Sequence, residues 1–429
     1  MAGEWVTGTL GDIADLIMGQ SPTGETCNEN GKGTPLLNGP TEFGGNHPRP
    51  VQYTTDPRKF AEPGDLLFCV RGSTTGRMNW ADQRYAIGRG LAAIRPKQGN
   101  EYRHFVRAVI DANLPRLLAS ATGSTFPNVS REQIREIECN LPPLAEQKAI
   151  AAVLGALDDK IELNRRMNAT LEAMARALFQ SWFVDFDPVR VKLDGRPPAA
   201  LDPATAALFP EHLEDSPLGH IPKGWKAGTV VEGFNLTMGQ SPPGDTYNEE
   251  GNGLSFYQGR TDFGFRFPTR RIYCTAPTRY AKPGDTLVSV RAPVGDINMA
   301  NEECCIGRGV AAVRHKSGAT SFTYHSMANL YPDFARFEAE GTVFGSINKD
   351  SFEKLRFVIP PDEIVAAYER QAGPLDEQIR TLENQSRTLA TLRDTLLPKL
   401  LSGELSVMDE ERQFERATSW KPQLTPPTS

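Results

Sequence analysis

One long unit is written twice in this sequence, and the duplication limits the chain to folds built from two similar halves. The matching segments keep their order and lie 218 to 220 positions apart. They include Met18–Gly24 with Met238–Gly244, Pro63–Asp65 with Pro283–Asp285, Ile87–Gly90 with Ile306–Gly309, and Pro142–Pro143 with Pro360–Pro361. Matches this dense do not arise by chance, so we predict that both halves share one fold.

Each half ends in a stretch with the pattern of a long, packed helix. Apolar or small residues recur in steps of four and three, which is the seam along which one helix packs against another. The first seam contains Ile150, Leu154, Leu157, Ile161, Leu171, Ala175, Leu178 and Trp182, and the second contains Leu375, Ile379, Leu382, Ser386, Leu389, Arg393, Leu396 and Leu400. Two equivalent helices are each other's simplest partner, so we predict an antiparallel pair. Two unrelated helices, each lying on its own domain, are the alternative.

Two polar residues, Asn164 and Asn168, interrupt the first seam. A buried polar side chain at such a position can fix the register of a helix pair. A half-exposed position is the other interpretation that the pattern leaves open.

Length and composition favour a soluble protein of two or three domains, because 429 residues exceed one ordinary core. No stretch approaches the roughly 18 apolar residues of a membrane span, and the N-terminus lacks the pattern of a secretory signal. The six cysteines form no CxxC pair that would suggest a zinc site. We therefore expect a cytoplasmic protein with reduced thiols.

The net charge of −6 is distributed unevenly along the chain. Residues 1–140 carry 15 basic and 15 acidic side chains, and residues 220–360 carry 16 and 14, so the acidity lies in the helical and linker segments. Electrostatic attraction by these near-neutral domains alone would give weak DNA binding. A partner would have to supply much of any phosphate contact.

The patterns together predict an α+β fold with pseudo-twofold symmetry, in which two mixed α/β domains are separated by two long antiparallel helices. Pro-Gly-Asp turns precede apolar, β-rich segments in both halves. The Pro-Pro pairs break the chain before each long helix, and Pro374 should kink or restart the second one. The predicted parts are a first domain (1–143), a central helix (144–186), a linker (187–220), a second domain (221–361), a C-terminal helix (362–405) and a mobile tail (406–429).

A search for catalytic motifs finds no Walker phosphate loop, HExxH or GxSxG segment. The six histidines have no counterparts across the repeat, whereas a site used by both halves should be written twice. The Ile-Gly-Arg-Gly segments resemble a phosphate loop only weakly, because each runs directly into a strand. We therefore predict no catalytic or metal residues.

What is doubled is a set of turns that carry hydrogen-bonding side chains, of the kinds that contact base edges and phosphates in DNA. The candidate DNA-binding residues are Gln20, Ser21, Arg71, Arg89, Ser124, Thr125 and Asn128 in the first half, and Gln240, Ser241, Arg291, Arg308, Thr342, Ser346 and Asn348 in the second. For any single residue a structural role is the alternative: glycine and proline would hold the loops, while Arg71 and Arg89 would pair with nearby acids.

The chain resembles, over essentially its full length, the specificity (HsdS-type) subunit of type I restriction–modification enzymes. The combination of motifs is specific, although no single one is. The residues that carry it are MGQSPTG and MGQSPPG, PGDLLFCVRGSTTG and PGDTLVSVRAPVG, IGRGLAAIR and IGRGVAAVR, LPPLAEQKAI, LEAMARALFQSWFVDFDPV, and LRDTLLPKLLSGEL.

The resemblance implies two target recognition domains, each reading one half of a split, asymmetric DNA site. The helix pair would separate the domains and dock two adenine methyltransferase subunits that use S-adenosylmethionine. Further restriction subunits, driven by ATP and needing Mg, would translocate and cut unmethylated DNA. No cofactor is expected on this chain.

Helix length offers a physical check on this interpretation. From Leu157 to Trp182 the seam rises over 25 residues, or roughly 38 Å, which is close to the roughly 34–36 Å between half-sites one helical turn apart. The helices would then act as a ruler for the spacer between half-sites.

Two other functions stay open. A coiled-coil adaptor that binds proteins and not DNA would suit the near-neutral charge of both domains. A hydrolase could use the doubled Asp65 and Asp285, although an aspartate in a Pro-Gly-Asp turn more often serves the backbone.

Overall fold

The structure is a computed structural model, and it describes residues 5–121, 127–198, 201–339 and 345–408. The chain divides into two compact units. Unit 1 comprises Met1–Leu163 and Gln385–Ser429, and unit 2 comprises Asn164–Asn384. Most of the predicted mobile tail, residues 409–429, lies outside the described residues.

The first half of the chain contains eleven strands and four α-helices among its described residues. The strands are β1 (Val6–Thr9), β2 (Ala14–Met18), β3 (Cys27–Asn28), β4 (Thr34–Leu37), β5 (Gln52–Thr54), β6 (Phe60–Ala61), β7 (Leu66–Cys69), β8 (Met78–Trp80), β9 (Tyr85–Ile87), β10 (Leu91–Pro96) and β11 (Glu138–Leu141). The helices are α1 (Leu10–Ile13), α2 (Arg103–Ala119), α3 (Arg131–Arg135) and α4 (Leu144–Phe183).

The second half repeats this order after a short insertion, except that two helices stand where the first half has α2. The insertion contains α5 (Asp187–Leu193), α6 (Pro203–Leu208), β12 (Leu213–Ser216) and β13 (Gly219–Pro222). The following strands are β14 (Lys226–Thr229), β15 (Phe234–Met238), β16 (Tyr247–Asn248), β17 (Leu254–Tyr257), β18 (Tyr273–Cys274), β19 (Tyr280–Ala281), β20 (Thr286–Val290), β21 (Val294–Met299), β22 (Cys304–Ile306), β23 (Val310–His315) and β24 (Arg356–Ile359). The helices are α7 (Val230–Gly233), α8 (Thr320–Asn329), α9 (Tyr331–Ala339), α10 (Lys349–Glu353) and α11 (Asp362–Ser402).

Both units contain the same sheets, which confirms the predicted repeat of an α+β domain. Unit 1 has an antiparallel sheet in the order β2-β10-β7-β8 and a mixed sheet in the order β3-β5-β4-β9-β6. Unit 2 has the corresponding orders β15-β23-β20-β21 and β16-β18-β17-β22-β19. In each mixed sheet one pair is parallel, β4 with β9 and β17 with β22. The repeat in sequence is therefore a repeat of topology.

The Pro-Gly-Asp turns act as the sequence predicts. Gly64 has a φ of 92°, in the left-handed region that glycine adopts without strain. The strand that follows, β7, is completely buried. The equivalent turn at Gly284 (φ 83°) leads into the buried strand β20.

The two long helices are antiparallel within each unit. In unit 1, Arg393 of α11 donates to Asp158 of α4 at 2.8 Å, and Glu146 at the start of α4 accepts the main-chain N–H of Val407. The earlier residue of α4 thus contacts the later residue of α11 and the segment after it, so the two helices run in opposite directions. This is the pairing that the seams predict.

Unit 2 shows the same direction. Asn164 donates through its side chain to the carbonyl of Leu382 at 3.5 Å, and the hydroxyl of Tyr368 donates to the carbonyl of Ala175 at 3.2 Å. Asn168, like Asn164, is buried in this seam. The half-exposed interpretation of these two asparagines is therefore wrong.

The seam residues are buried or half-buried in their own units. Those with little exposure are Ile150, Leu154, Ile161, Ala175, Trp182, Ile379, Leu382 and Leu400, and the half-buried ones are Leu157, Leu171, Leu178, Leu375, Leu389 and Leu396. Pro374 lies inside α11, which runs without a break for 41 residues, so the expected restart does not occur.

The segment expected to be a linker, residues 187–220, is more ordered than its composition suggests. Its helices and hairpin carry a few apolar side chains that join the core of unit 2, such as Val189 and Phe209. The ring of Phe209 lies 6.4 Å from that of Trp225, between ring centroids. Because only a few residues make these contacts, a prediction from average composition does not detect that the segment is packed on unit 2.

Candidate nucleic-acid interface

Two of the predicted loops of unit 1 meet through backbone hydrogen bonds. The main-chain N–H of Gln20 donates to the carbonyl of Ile87 at 2.9 Å. The hydroxyl of Ser21 accepts the main-chain N–H of Arg89 at 3.2 Å. The end of β2 is thereby joined to the loop between β9 and β10, and the side chains of Gln20, Ser21 and Arg89 are exposed there.

Unit 2 repeats this arrangement bond for bond. Gln240 donates to the carbonyl of Ile306 at 3.0 Å, and Ser241 accepts the N–H of Arg308 at 3.3 Å. Thr278 adds a bond to the carbonyl of Gln240 at 2.9 Å. The two halves therefore present the same loop pair with the same exposed residue types, except that Ser241 is half-buried.

Close contact between these loops explains the glycines before Gln20 and Gln240. A Cβ atom on Gly19 would lie 2.1 Å from the carbonyl oxygen of Gly88, and one on Gly239 would lie 2.2 Å from that of Gly307. No side chain fits such a gap, so both Met-Gly-Gln-Ser segments need glycine at this place.

A second loop pair lies beside the first in unit 1. The N–H of Val70 donates to the carbonyl of Gly90 at 3.0 Å, and the N–H of Gly72 donates to the carbonyl of Pro127 at 3.1 Å. Arg71 and Asn128 form a β-bridge. The predicted residues Gln20, Ser21, Arg71, Arg89 and Asn128 are thus brought together at one end of the sheets.

In unit 2 the corresponding bridge joins Arg291 to Ser346. In the structure, Ser346 of unit 2 therefore occupies the place of Asn128 in unit 1. Asn348 instead accepts the N–H of Ser351 at 2.9 Å and caps α10, as Ser130 caps α3.

Three predicted residues, Ser124, Thr125 and Thr342, lie outside the described residues. Their contribution to the interface stays a prediction.

The four predicted arginines of these loops are exposed. Arg71, Arg89, Arg291 and Arg308 form no ion pair with any residue in the described ranges, so the interpretation that Arg71 and Arg89 pair with nearby acids is wrong for that part of the chain. Unpaired guanidinium groups at one end of a domain are well suited to contact phosphates or guanine.

Arg95 shows the contrasting, structural use of arginine. It binds Asp65 through two parallel hydrogen bonds of 2.8 and 2.7 Å, and this carboxylate raises the pKa of Arg95. Asp65 also accepts the N–H of Glu62 at 2.7 Å. In unit 2, Asp285 accepts one bond from Arg314 and another from the N–H of Lys282, while a second guanidinium nitrogen of Arg314 donates to the carbonyl of Pro283 at 2.8 Å. Both carboxylates therefore make the backbone contacts that are typical of a Pro-Gly-Asp turn.

Most N–H groups at the Ile-Gly-Arg-Gly loop of unit 1 already have partners within the chain, which disfavours a phosphate cradle. The N–H of Gly88 donates to Leu37, that of Arg89 donates to Ser21, and that of Leu91 donates to Gly88. These bonds fix the backbone of the loop and leave the side chain of Arg89 exposed.

Two exposed pairs at these loops escaped the sequence reasoning. Lys59 and Arg279 occupy equivalent positions, and their carbonyls accept the N–H groups of Ile87 and Ile306 at 2.9 and 3.0 Å. Both are basic and lie 220 positions apart, which is the offset of the repeat, so the sequence comparison could have identified them. Asn38 and Gln258 follow β4 and β17 in the same way.

The described residues contain no group of three or more His, Cys, Asp or Glu side chains placed to hold a metal ion. Among the described helices, none is long and apolar enough to cross a membrane. All six cysteines are free thiols.

Known proteins resemble this chain in sequence and in fold. The model of a family described as "Type I restriction modification DNA specificity domain" matches twice, over residues 2–173 and 222–389. The chain is 29% identical over 289 residues to the putative type I restriction enzyme MjaX specificity subunit of Methanocaldococcus jannaschii. That alignment covers 65% of this chain and 62% of the relative, so it spans less than two thirds of the relative's length.

A second relative is the type I restriction enzyme HindI specificity subunit of Haemophilus influenzae. It is 23% identical over 413 residues, which cover 81% of this chain and 88% of the relative. The crystal structure of the type I restriction–modification system S subunit from M. genitalium matches with a TM-score of 0.57 and 17% identity, over 93% of this chain and 96% of that one. At this identity the match supports the fold alone.

Proposed function

Because the chain belongs to the family of type I restriction modification DNA specificity domains, we propose that it is the non-catalytic subunit that gives such an enzyme its DNA sequence specificity. Each recognition domain, one in each unit, reads one half of a bipartite site on double-stranded DNA. The loop end of each domain, defined here as the reading edge, comprises residues 19–21, 59, 70–72, 87–90 and 127–129 in unit 1 and residues 239–241, 279, 290–292, 306–309 and 345–347 in unit 2.

One observation carries this proposal. The two reading edges have the same backbone hydrogen bonds and the same exposed Gln and Arg side chains, and in both a serine hydroxyl accepts the N–H of the arginine. Arginine and amide side chains are those that recognise guanine and adenine in the major groove. A duplicated polar edge of this kind matches a target with two half-sites.

Differences between the edges favour an asymmetric target. Lys59 stands where unit 2 has Arg279, and Asn128 stands where it has Ser346. Arginine binds guanine through two parallel bonds, whereas lysine is a point charge. The two half-sites should therefore differ in sequence.

The remaining roles belong to partners. Two methyltransferase subunits dock on the paired helices α4 and α11 and transfer methyl groups from S-adenosylmethionine to adenine. Restriction subunits use ATP and Mg to move along DNA and cut it. This chain binds none of these cofactors, and its DNA partner implies a cytoplasmic location.

The test is to map modified bases in cells with and without the gene. A bipartite adenine motif that disappears with the gene, and returns when the gene is restored on a plasmid, supports the proposal. The same methylated motifs in both strains would refute it.

Retention of DNA by the purified complex separates this function from a protein adaptor. A DNA-reading subunit should retain DNA together with its methyltransferase partner and lose it at high salt, since counterion release weakens phosphate contacts. An adaptor would show no such retention.

A further inference from the structure

A fully buried arginine joins a loop of the second recognition domain to both long helices. Arg266 lies between the turn Arg260–Asp262 and β18, and its side chain has no exposed surface. One of its terminal nitrogens donates to Asp376 of α11 and the other to Glu172 of α4. Its guanidinium also lies 3.9 Å from the centre of the Tyr324 ring of α8.

The backbone of the same residue makes two further bonds. The N–H of Arg266 donates to the side chain of Glu383 of α11 at 3.0 Å. Its carbonyl accepts the N–H of Met299, at the end of β21, at 2.8 Å. A single residue therefore connects the sheet and a helix of the domain to α4 and α11.

Unit 1 has an aspartate, Asp158, at the position equivalent to Asp376, but this aspartate binds a different arginine. Asp158 of α4 stands 218 positions before Asp376, and each directly follows a seam leucine. Asp158 accepts a bond from Arg393 at 2.8 Å and lies 3.7 Å from the Nδ1 atom of His104, which belongs to the first domain.

The position that matches Arg266 in unit 1 is Asn46, whose carbonyl likewise accepts an N–H, from Trp80. The aspartate is thus present in both halves, and a different side chain of each domain lies beside it: His104 in unit 1 and Arg266 in unit 2.

We propose that Arg266 is a positioning residue, which fixes the angle at which the second recognition domain is held on the helices of its unit and so sets how strictly the spacer between half-sites is measured. This inference rests on the proposed function. Arg266 lies outside the reading edge and touches no DNA in this scheme.

The chemistry of a buried ion network favours positioning over stability. Apolar side chains of similar volume often stabilise a core at least as well as a buried ion network. A planar guanidinium that serves two carboxylates and an aromatic ring, however, satisfies all of them in only one orientation. Neutral side chains in place of the three charged ones would fill the space, but they would permit several angles between the domain and the helices of its unit.

The experiment uses the complete complex with its methyltransferase subunits. Adenine methylation is measured on DNA with the cognate half-sites at the native spacer and at spacers one base pair shorter and longer. The variant Arg266→Met/Glu172→Gln/Asp376→Asn removes all three charges together, so that none is left buried alone. Arg336→Met, which removes an exposed guanidinium from α9 of the same unit, is the matched control.

We expect the triple variant to methylate the native-spacer site within about threefold of wild type, and to lose about tenfold of the preference for it. The control should keep the wild-type preference. A folded triple variant with unchanged preference overturns the proposal.

If the triple variant does not assemble, the variant Arg266→Lys is tested instead. It keeps the buried charge but loses the planar guanidinium, so it should also lower the preference for the native spacer. An unchanged preference for the native spacer overturns the proposal. A wild-type complex with no spacer preference at all would instead refute the proposed function.

Discussion

Ser21 holds the backbone of Arg89: its hydroxyl accepts the arginine N–H at 3.2 Å, and Ser241 holds Arg308 in the same way at 3.3 Å. The bond fixes the loop while the guanidinium stays exposed. A duplicated serine thus fixes the loop backbone at a duplicated, exposed arginine. The proposed role in DNA recognition rests on this arrangement.

We expect Arg89→Ala and Arg308→Ala each to weaken specific DNA binding by the complex by about 1–3 kcal/mol, which is typical of a lost base contact. If the arginine contacts a phosphate instead, its removal should reduce the slope of log K against log salt concentration by about one. Fluorescence anisotropy at several salt concentrations measures both quantities.

Arg58→Ala is the control for these variants, because Arg58 is an exposed arginine of the first domain that pairs with Asp56 at 2.6 Å. Its affinity should match wild type. Wild-type affinity for both Arg89→Ala and Arg308→Ala would remove these residues from the interface.

Asp65→Asn tests whether the Pro-Gly-Asp carboxylate is structural. The change breaks two charged hydrogen bonds to Arg95, which is 40% exposed. We expect a loss of about 1–2 kcal/mol in the free energy of unfolding after discounting for solvent. Urea unfolding measures it, and the exposed Asp56→Asn should change stability by less than about 0.5 kcal/mol.

Methylation per folded complex should be unchanged in Asp65→Asn/Asp285→Asn. Loss of an enzymatic activity without loss of folded protein would revive the hydrolase interpretation.

Stability should depend on pH through His325. Burial, reinforced by the nearby charges of Arg266 and Arg176, lowers the pKa of this histidine to about 3. Neither ring nitrogen has a hydrogen-bond partner among the described residues. Since the unfolded chain binds the proton at about pH 6.5, the neutral histidine's contribution is complete above that pH and is lost as the pH falls from 6.5 towards 3.

The variant His325→Phe should remove this dependence. Its stability relative to wild type should rise by up to about 1.4 kcal/mol for each pH unit below 6, as measured by denaturant unfolding at pH 7, 6 and 5. His220→Phe, at an exposed histidine of the β12–β13 hairpin, is the control for replacing a histidine by phenylalanine elsewhere in unit 2. Equal slopes for wild type and His325→Phe would contradict the assignment.

The helix ruler predicts that an insertion changes the spacer. Four residues inserted after Thr170 in α4 add roughly 6 Å to that helix, or roughly two base pairs of DNA at about 3.4 Å each. The methylated motif of cells carrying this variant should have a longer spacer. The same insertion after the exposed Gly195 should leave it unchanged, and identical motifs for both insertions would rule out the ruler.

Local patterns predicted much of this fold. The seam from Ile150 to Trp182 predicted the paired helix because a period of four and three is visible within one segment. Pro63-Gly64-Asp65 predicted a turn because only a few residue types adopt its backbone angles. The linker was predicted less well, since the burial of Phe209 depends on a distant surface around Trp225.

The sequence by itself determined the duplication, the helix pair and the loop motifs, because a repeat and a periodicity can be recognised along the chain without knowing which residues are in contact. Only the tertiary structure decided that the carbonyls of Lys59 and Arg279 bond to the loops of the reading edges, and that Arg266 reaches Glu172 and Asp376. Those outcomes depend on contacts between residues far apart in the chain. The path of each loop sets these contacts, and no local pattern encodes that path.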